Sequence, residues 1–518
     1  MSRSVGRRRA AAQERAGGAL RQAPWRPLAL THRPLEIVSD DAVEAIHQAS
    51  LEILETVGMK VLDAGARAVL RAEGAAVDEG DQVVRLDRGL VEAKLRLAPP
   101  EFTLRARNPA RDFRLGGRHA AYSSVGGPAY VDDLDRGRRA GSYAEMCDFL
   151  RLVQSLNIVH QEGGGPFEAL DLPGETRHLD QYYAQITLLD KNWQPWGLGA
   201  TRALDALEMA AIAFGTTRER LVDHTVFACI INTNSPLVID VPMAEGLMAM
   251  ARHGQAVVVT PFTLAGAMCP VTLAGALAQQ NAEALAGIAL VQSVRPGAPV
   301  VYGGFTTNVD MKSGAPAFGT PEYAQAAQIS GQLARRHRLP FRSSAVTTAN
   351  TVDAQAAYET MMSLWGAITG HAHLIVHAGG WLGGGLTASF EKLIVDAEMM
   401  QMMAAWLQPP AVDQDSLGLA AIREVGHAGH FFGTAHTLAR YQTAFYAPLI
   451  SDWDNYDSWR QRGGLGTAER ANRLWKAALA EYQPPPLDPA IDEALRDYVA
   501  RRKRAAGQPR GAEAPGAA

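Results

Sequence analysis

The sequence predicts an α/β fold: a (β/α)8 barrel of the TIM type, with an N-terminal cap segment and a C-terminal helical extension. Three observations predict it. Short β-branched runs alternate with longer helix-patterned segments between residues 140 and 410, as parallel strands with crossover helices require. About seven or eight such units fit in that span, which suits a closed barrel better than an open sheet. Most of the short runs end in Gly, Pro, Ser or Thr, and no GxGxxG or GxxxxGK[ST] loop opens a helix, so the common nucleotide-binding folds lose support.

The elements follow in order. Ser39 or Asp40 caps a helix whose apolar positions include Val43, Ile46, Leu51, Ile53 and Leu54. Glu101–Gly117 alternates through Phe102, Leu104, Phe113 and Leu115, the pattern of a hairpin. Ser142 with Glu145 forms a capping box before a helix reaching Leu156. Strand-like runs follow at Ile158–Gln161, Thr225–Ile231, Ala256–Pro261, Pro299–Gly304, Phe341–Ala345 and Leu374–His377. Helices are expected near 175–190, 202–215, 241–253, 272–294, 321–337, 353–370 and 388–407. Thr320-Pro321-Glu322 is a cap, a first-turn proline and a first-turn acid, which together start a helix. By this reading residues 1–33 are a disordered basic tail and 34–120 the cap. Residues 121–450 form the catalytic barrel, 451–505 the helical extension and 506–518 a second disordered tail.

Composition narrows the function. The chain has 518 residues, 47% apolar and 20% charged, ample for a packed core. Its longest apolar runs, such as Val226–Ile231, fall far short of the roughly 20 residues of a membrane helix. Three cysteines without a CxxC pair make a disulfide framework or cysteine-based zinc site unexpected and point to a reducing, cytoplasmic setting. The net charge is −4; residues 1–25 carry six arginines against Glu14, leaving the rest at −9. A body of that charge argues against nucleic acid as a partner. The basic start reads as a solvated tail.

In a barrel the chemistry belongs at the C-terminal strand ends. These supply Gln161–Pro166, Asn232–Asn234, Thr260–Phe262, Tyr302–Asn308, Ser343–Asn350 and His377–Gly385. They are rich in glycine, aromatic and amide side chains and lack the facing acid pair of a glycosidase. No GxSxG elbow exists and no cysteine sits beside a histidine base, so a protein nucleophile is unsupported. Aromatic faces attract cations, and Phe262, Tyr302, Phe305, Tyr358 and Trp381 are the candidate lining, with Asn234 and Asn308 as polar contacts. His377, Gln355 and Asn350 are the candidate catalytic groups. His371, His373 and His377 are a dense histidine cluster without an evident third strong ligand, so no metal site is assigned. Glu168, Glu283, Glu322, Glu359 and Glu391 read as helix-end or interhelical partners.

Several segments then resemble the trimethylamine methyltransferase (MttB) family: Pro270–Glu283, Pro296–Gly304, Gly319–Glu322, Asp353–Glu359, Gly429–Leu438, Pro448–Trp459 and, above all, His377–Lys392 (HAGGWLGGGLTASFEK). The similarity spans roughly residues 35–500. It implies a barrel that moves a methyl group from an amine to the Co(I) corrinoid of a separate small protein. The archaeal members carry pyrrolysine; this chain has only standard residues, including throughout Phe341–Asp353, where that residue would align. It therefore resembles the non-pyrrolysine branch, some of whose members demethylate quaternary amines such as glycine betaine. The implied partners are a methylated amine and a corrinoid protein, with the corrinoid not bound tightly by this chain and a homo-oligomer expected. Two other readings stay open: a methylamine- or betaine-binding barrel without catalysis, and a metal-dependent lyase or hydrolase using the histidine cluster.

Overall fold

The computed structural model describes residues 19–506. Eight strand–helix units run from residue 119 to 406. The strands are β1 His119–Tyr122, β2 Gln161–Glu162, β3 Asn192–Trp193, β4 Ala228–Thr233, β5 Ala256–Ala265, β6 Val300–Gly303, β7 Phe341–Ser344 and β8 Leu374–Val376. The helices are α1 Tyr143–Ser155, α2 Arg177–Leu188, α3 Gly199–Ala213, α4 Val241–Arg252, α5 Leu273–Val294, α6 Pro321–His337, α7 Ala354–Thr369 and α8 Phe390–Trp406.

The ladders between these strands are all parallel. β4 pairs β5, β5 pairs β6, β6 pairs β7, β7 pairs β8 and β8 returns to β1. A single bridge, Ser123 to Gln161, carries the order on to β2, which pairs β3. Between β3 and β4 the link is through side chains: Asn192 Nδ2 donates to the Val226 carbonyl at 2.7 Å, and Trp193 packs on Phe227 with centroids 4.7 Å apart. The established architecture is thus a mixed α/β fold built on parallel strands.

Two apolar layers follow from the period-two alternation of strands. Side chains facing the helices join the large outer core. Those facing the other way, Ala121, Ala228, Ala256, Val258, Val301, Leu374 and Val376, pack with Leu104, Phe113 and Leu115. The latter come from the antiparallel hairpin Glu101–Leu104/Phe113–Gly116. The hairpin thus covers this face of the strands.

Local signals explain the helix starts. The capping box at Ser142 and Glu145 is formed, Ser39 accepts from Ala42, and Thr320 accepts from Tyr323 before Pro321. The expected basic tail needs correction where it is described. Leu28 and Leu30 are buried, and Leu28–Ala29 pairs with β1, because apolar Leu28 and Leu30 have the outer core to enter. Gln22 also bonds Ser155 and Asn157. The remainder of that tail and residues 507–518 lie outside the described residues. Beyond α8 come the short helices Leu419–Val425, Ala435–Arg440 and Tyr456–Gln461, then the longer Thr467–Ala480 and Pro489–Ala506. No described helix is long and apolar enough to cross a membrane.

Two buried histidines bind neighbouring strands together. Tyr122 N–H donates to His160 Nδ1 at 3.1 Å, and Phe341 N–H donates to His373 Nδ1 at 2.9 Å. Each ring must stay neutral, because its Nδ1 lone pair is occupied by a backbone donor. Burial holds both down at about 4, against 6.5 in the unfolded chain. The linked stability is therefore complete above pH 6.5 and lost as pH falls from 6.5 towards 4, by about 3 kcal/mol per histidine at most. Denaturant titration from pH 7.5 to 4.5 should show that fall. His373→Gln, whose amide oxygen still accepts the Phe341 N–H but does not titrate, should remove about half of it, leaving the share of His160.

Candidate functional site

The strand ends surround a cavity of about 620 Å3. Its walls come from the loops after β1 to β8. A different cavity, about 370 Å3, lies at the opposite ends of the strands against residues 21–28 and the end of α8. It holds none of the strand-end residues.

The aromatic wall of the first cavity is built by strand register. β5 runs past its neighbours, so Phe262 pairs with Phe305 on the strand Phe305–Val309. Their ring centroids are 5.0 Å apart. Phe318 stacks on Phe305 at 5.3 Å, and Trp381 meets Phe305 edge-on at 6.3 Å. His377 lies 4.5 Å from the Trp381 ring. Trp196 lines the other side, its indole N–H donated to the Gly164 carbonyl at 2.8 Å.

Trp381 owes its position to the glycine-rich loop after β8. Its indole N–H donates to the Thr347 carbonyl at 3.1 Å. Gly385 has φ +95, and a Cβ there would come within 2.4 Å of the Trp381 ring. Only glycine serves at that position. His377 itself has φ +56, where the chain turns out of β8.

Carboxylates hold the loops in shape. Glu162 accepts from the backbone of Gly164 and Gly165 after β2. Glu283 of α5 accepts from Thr233, Ser235 and Leu237 after β4. Glu359 of α7 accepts from Thr347, Thr348 and Ala349 after β7. Asp396 of α8 accepts from Gly380 N–H at 2.8 Å and pairs with buried Lys392. Burial pushes Glu162 up to about 7. These acids are spent on the protein's own amides and hydroxyls. Glu168, which does line the cavity, is bound by Arg177.

Of the candidate residues, Asn234, Phe262, Phe305, His377 and Trp381 all line this cavity. Five others stand elsewhere. Tyr302 points to the helices, buried against His337 and bonded by Gln280, because it is one residue out of phase with the inward Gly303. Asn308 accepts from Thr320 at the edge of the fold. Asn350 is exposed on a loop, Gln355 donates to Glu359, and Tyr358 is 62% exposed on the outer face of α7. The histidine cluster disperses too: His371 faces the His32 carbonyl, His373 holds Phe341, and only His377 reaches the cavity. Among the described residues no three His, Cys, Asp or Glu side chains gather as metal ligands.

Sequence reasoning missed Arg342. It lines the cavity, is 1% exposed, and lies with its guanidinium carbon 4.9 Å from the Phe305 ring centre. The available signal was a lone charge in an otherwise uncharged strand, Phe341–Ala345.

Among the described residues lining this space there is no thiol and no carboxylate without a partner. Burial raises Cys269 to about 11 and Cys229 to about 12, so neither is a thiolate near neutral pH. Burial and the nearby Arg342 charge hold the His377 imidazole well below its usual range, so it is neutral. The site can bind and orient a cation against aromatic faces; it cannot itself attack one.

Comparison with known proteins agrees in one direction. The model of the family described as trimethylamine methyltransferase (MTTB) matches residues 3–507. A glycine betaine methyltransferase of Desulfitobacterium hafniense (strain Y51) is 38% identical over 473 residues, covering 91% of this chain and 98% of the relative. A trimethylamine methyltransferase of the same species (strain DSM 10664 / DCB-2) is 29% identical, covering 89% and 92%. One from Methanosarcina thermophila is 27% identical, covering 91% and 98%.

Proposed function

The chain belongs to the trimethylamine methyltransferase family, and we propose that it moves a methyl group from a quaternary methylated amine, of the betaine kind, to the Co(I) corrinoid of a partner protein. We take the eight parallel strands as the staves of a (β/α)8 barrel, with the Asn192–Val226 and Trp193–Phe227 contacts spanning its one unladdered seam. The observation that carries the reading is the wall of Phe262, Phe305 and Trp381 in a cavity with no nucleophile of its own.

The reduced corrinoid, arriving as second substrate, supplies the nucleophile. Everything else falls to this chain. Aromatic faces hold an ammonium that offers no N–H. A quaternary ammonium leaves as a neutral amine, so no side chain need protonate it. That accords with the absence of a poised acid beside His377. Binding and alignment are the main catalytic terms available here. At the rim the exposed Gly127 presents backbone instead of a side chain, which leaves room there for a broad co-substrate. No Cβ at Gly127 would meet anything within 4 Å.

Direct displacement has a checkable corollary. Enzyme incubated with a methyl-labelled betaine and no corrinoid should carry no label by intact-mass spectrometry. A methylated side chain, at Cys269 or His377 for instance, would replace this reading with a double displacement.

A further inference from the structure

Arg342 sits where a cation is hardest to keep. It is buried on the inward face of β7, and the cavity touches it. Its hydrogen bonding is nearly empty: one Nη reaches the Gly304 carbonyl at 3.4 Å, and Nε has no partner. Among the described residues no carboxylate pairs with it. Burial draws it down to about 10, still charged at neutral pH. A buried charge without a counter-charge is strongly disfavoured, and proteins ordinarily supply the partner. Glu162, Glu283, Glu359 and Asp396 are instead committed to loop amides and hydroxyls, and Glu168 to Arg177.

Resting on the methyltransferase reading, we infer that Arg342 is the anchor for a carboxylate on the substrate, and that the site selects zwitterions whose carboxylate lies one carbon from the quaternary nitrogen. A guanidinium fork matches a carboxylate in geometry and charge. The spacing follows from Phe305. That one ring carries the Arg342 guanidinium at 4.9 Å and abuts Phe262 at 5.0 Å and Trp381 at 6.3 Å. Anion and cation subsites therefore share a wall, and a long spacer cannot serve both. His377, 6.1 Å from Phe305, lines the same cavity. The same charge acts against other ligands. A cation without a carboxylate would face Arg342 across a poorly screened gap and be repelled.

Equilibrium binding by calorimetry, with no corrinoid present, tests this. Wild type should bind glycine betaine at least 100-fold more tightly than choline or tetramethylammonium, and at least 10-fold more tightly than γ-butyrobetaine. The neutral isostere 3,3-dimethylbutyrate should compete. Arg342→Met should lose at least 100-fold for glycine betaine and gain for tetramethylammonium. Its ligand-free Tm should hold or rise, since an uncompensated buried charge has gone; an arginine with only a structural task would lower it. Arg342→Lys should retain part of the preference for carboxylates. The wild-type ligand series stands even if a variant folds poorly. Equal affinity of wild type for tetramethylammonium and glycine betaine, or unchanged glycine betaine affinity in Arg342→Met, overturns the inference and leaves methyl transfer intact. Failure of every quaternary amine to bind wild type overturns both.

Discussion

Trp381→Leu and Phe305→Leu should each raise the KM for the quaternary amine about 10- to 30-fold while kcat stays within a few-fold of wild type. Cation–π contact with a desolvated ring contributes about 1–2 kcal/mol, and leucine keeps much of the apolar volume. The split between KM and kcat is the informative part. Positive charge on nitrogen disappears as the methyl group departs, so the rings stabilise the bound substrate more than the transition state. Losing them is a loss of ground-state binding. Neighbouring rings limit structural damage: Phe318 and Tyr323 still enclose position 305, and Thr347 and His377 still enclose position 381. Steady-state kinetics on both variants, with circular dichroism to confirm folding, settles this; unchanged KM in both would remove the aromatic cage from the account.

Lys392→Met should destabilise the protein by about 3–5 kcal/mol, the cost of stranding one partner of a buried ion pair. Lys392 and Asp396 are both fully enclosed on α8, and Lys392 also donates to Thr360 at 2.9 Å. Burial pushes Asp396 up, so without its partner the carboxyl takes a proton or the structure yields. The consequence reaches function, because Asp396 holds the Gly380 N–H immediately before Trp381. The double variant Lys392→Met/Asp396→Asn removes the stranded charge and keeps an acceptor for Gly380. It should recover most of the lost stability and much of the affinity. Urea denaturation and substrate binding on the single and double variants measure both. A single variant as stable as wild type would show that the pair neither sustains α8 nor shapes the loop.

Much of this was legible in sequence for identifiable reasons. α4, α5, α6 and α7 start and end within a residue or so of expectation because caps, first-turn prolines and apolar runs mark them. β1 and β3 are absent from the strands read in the sequence. β3 is only Asn192–Trp193, without a β-branched residue, and β1 straddles the expected boundary between cap and barrel at residue 120. Phe262, Phe305, Trp381 and His377 could be nominated because they follow strand ends. Tyr302 shows the limit of that rule, since one residue of phase turns a side chain from the cavity to the helices. Gln355 and Tyr358 show another: proximity in sequence to a strand end does not set which face of α7 a residue occupies. Arg342 was passed over because strand residues were read as packing. Its meaning depends on which charges do not approach it, which only three-dimensional placement reveals.

The most direct measurement is anaerobic methyl transfer followed in the visible spectrum. Purified protein would be mixed with reduced Co(I) corrinoid, free or on a carrier protein, and a panel of methylated amines. The account predicts loss of the Co(I) band and growth of the methylated cobalt spectrum with a quaternary betaine, with one equivalent of the dealkylated amine formed per cobalt. Transfer from trimethylamine alone, or from no quaternary amine with either form of corrinoid, would contradict it.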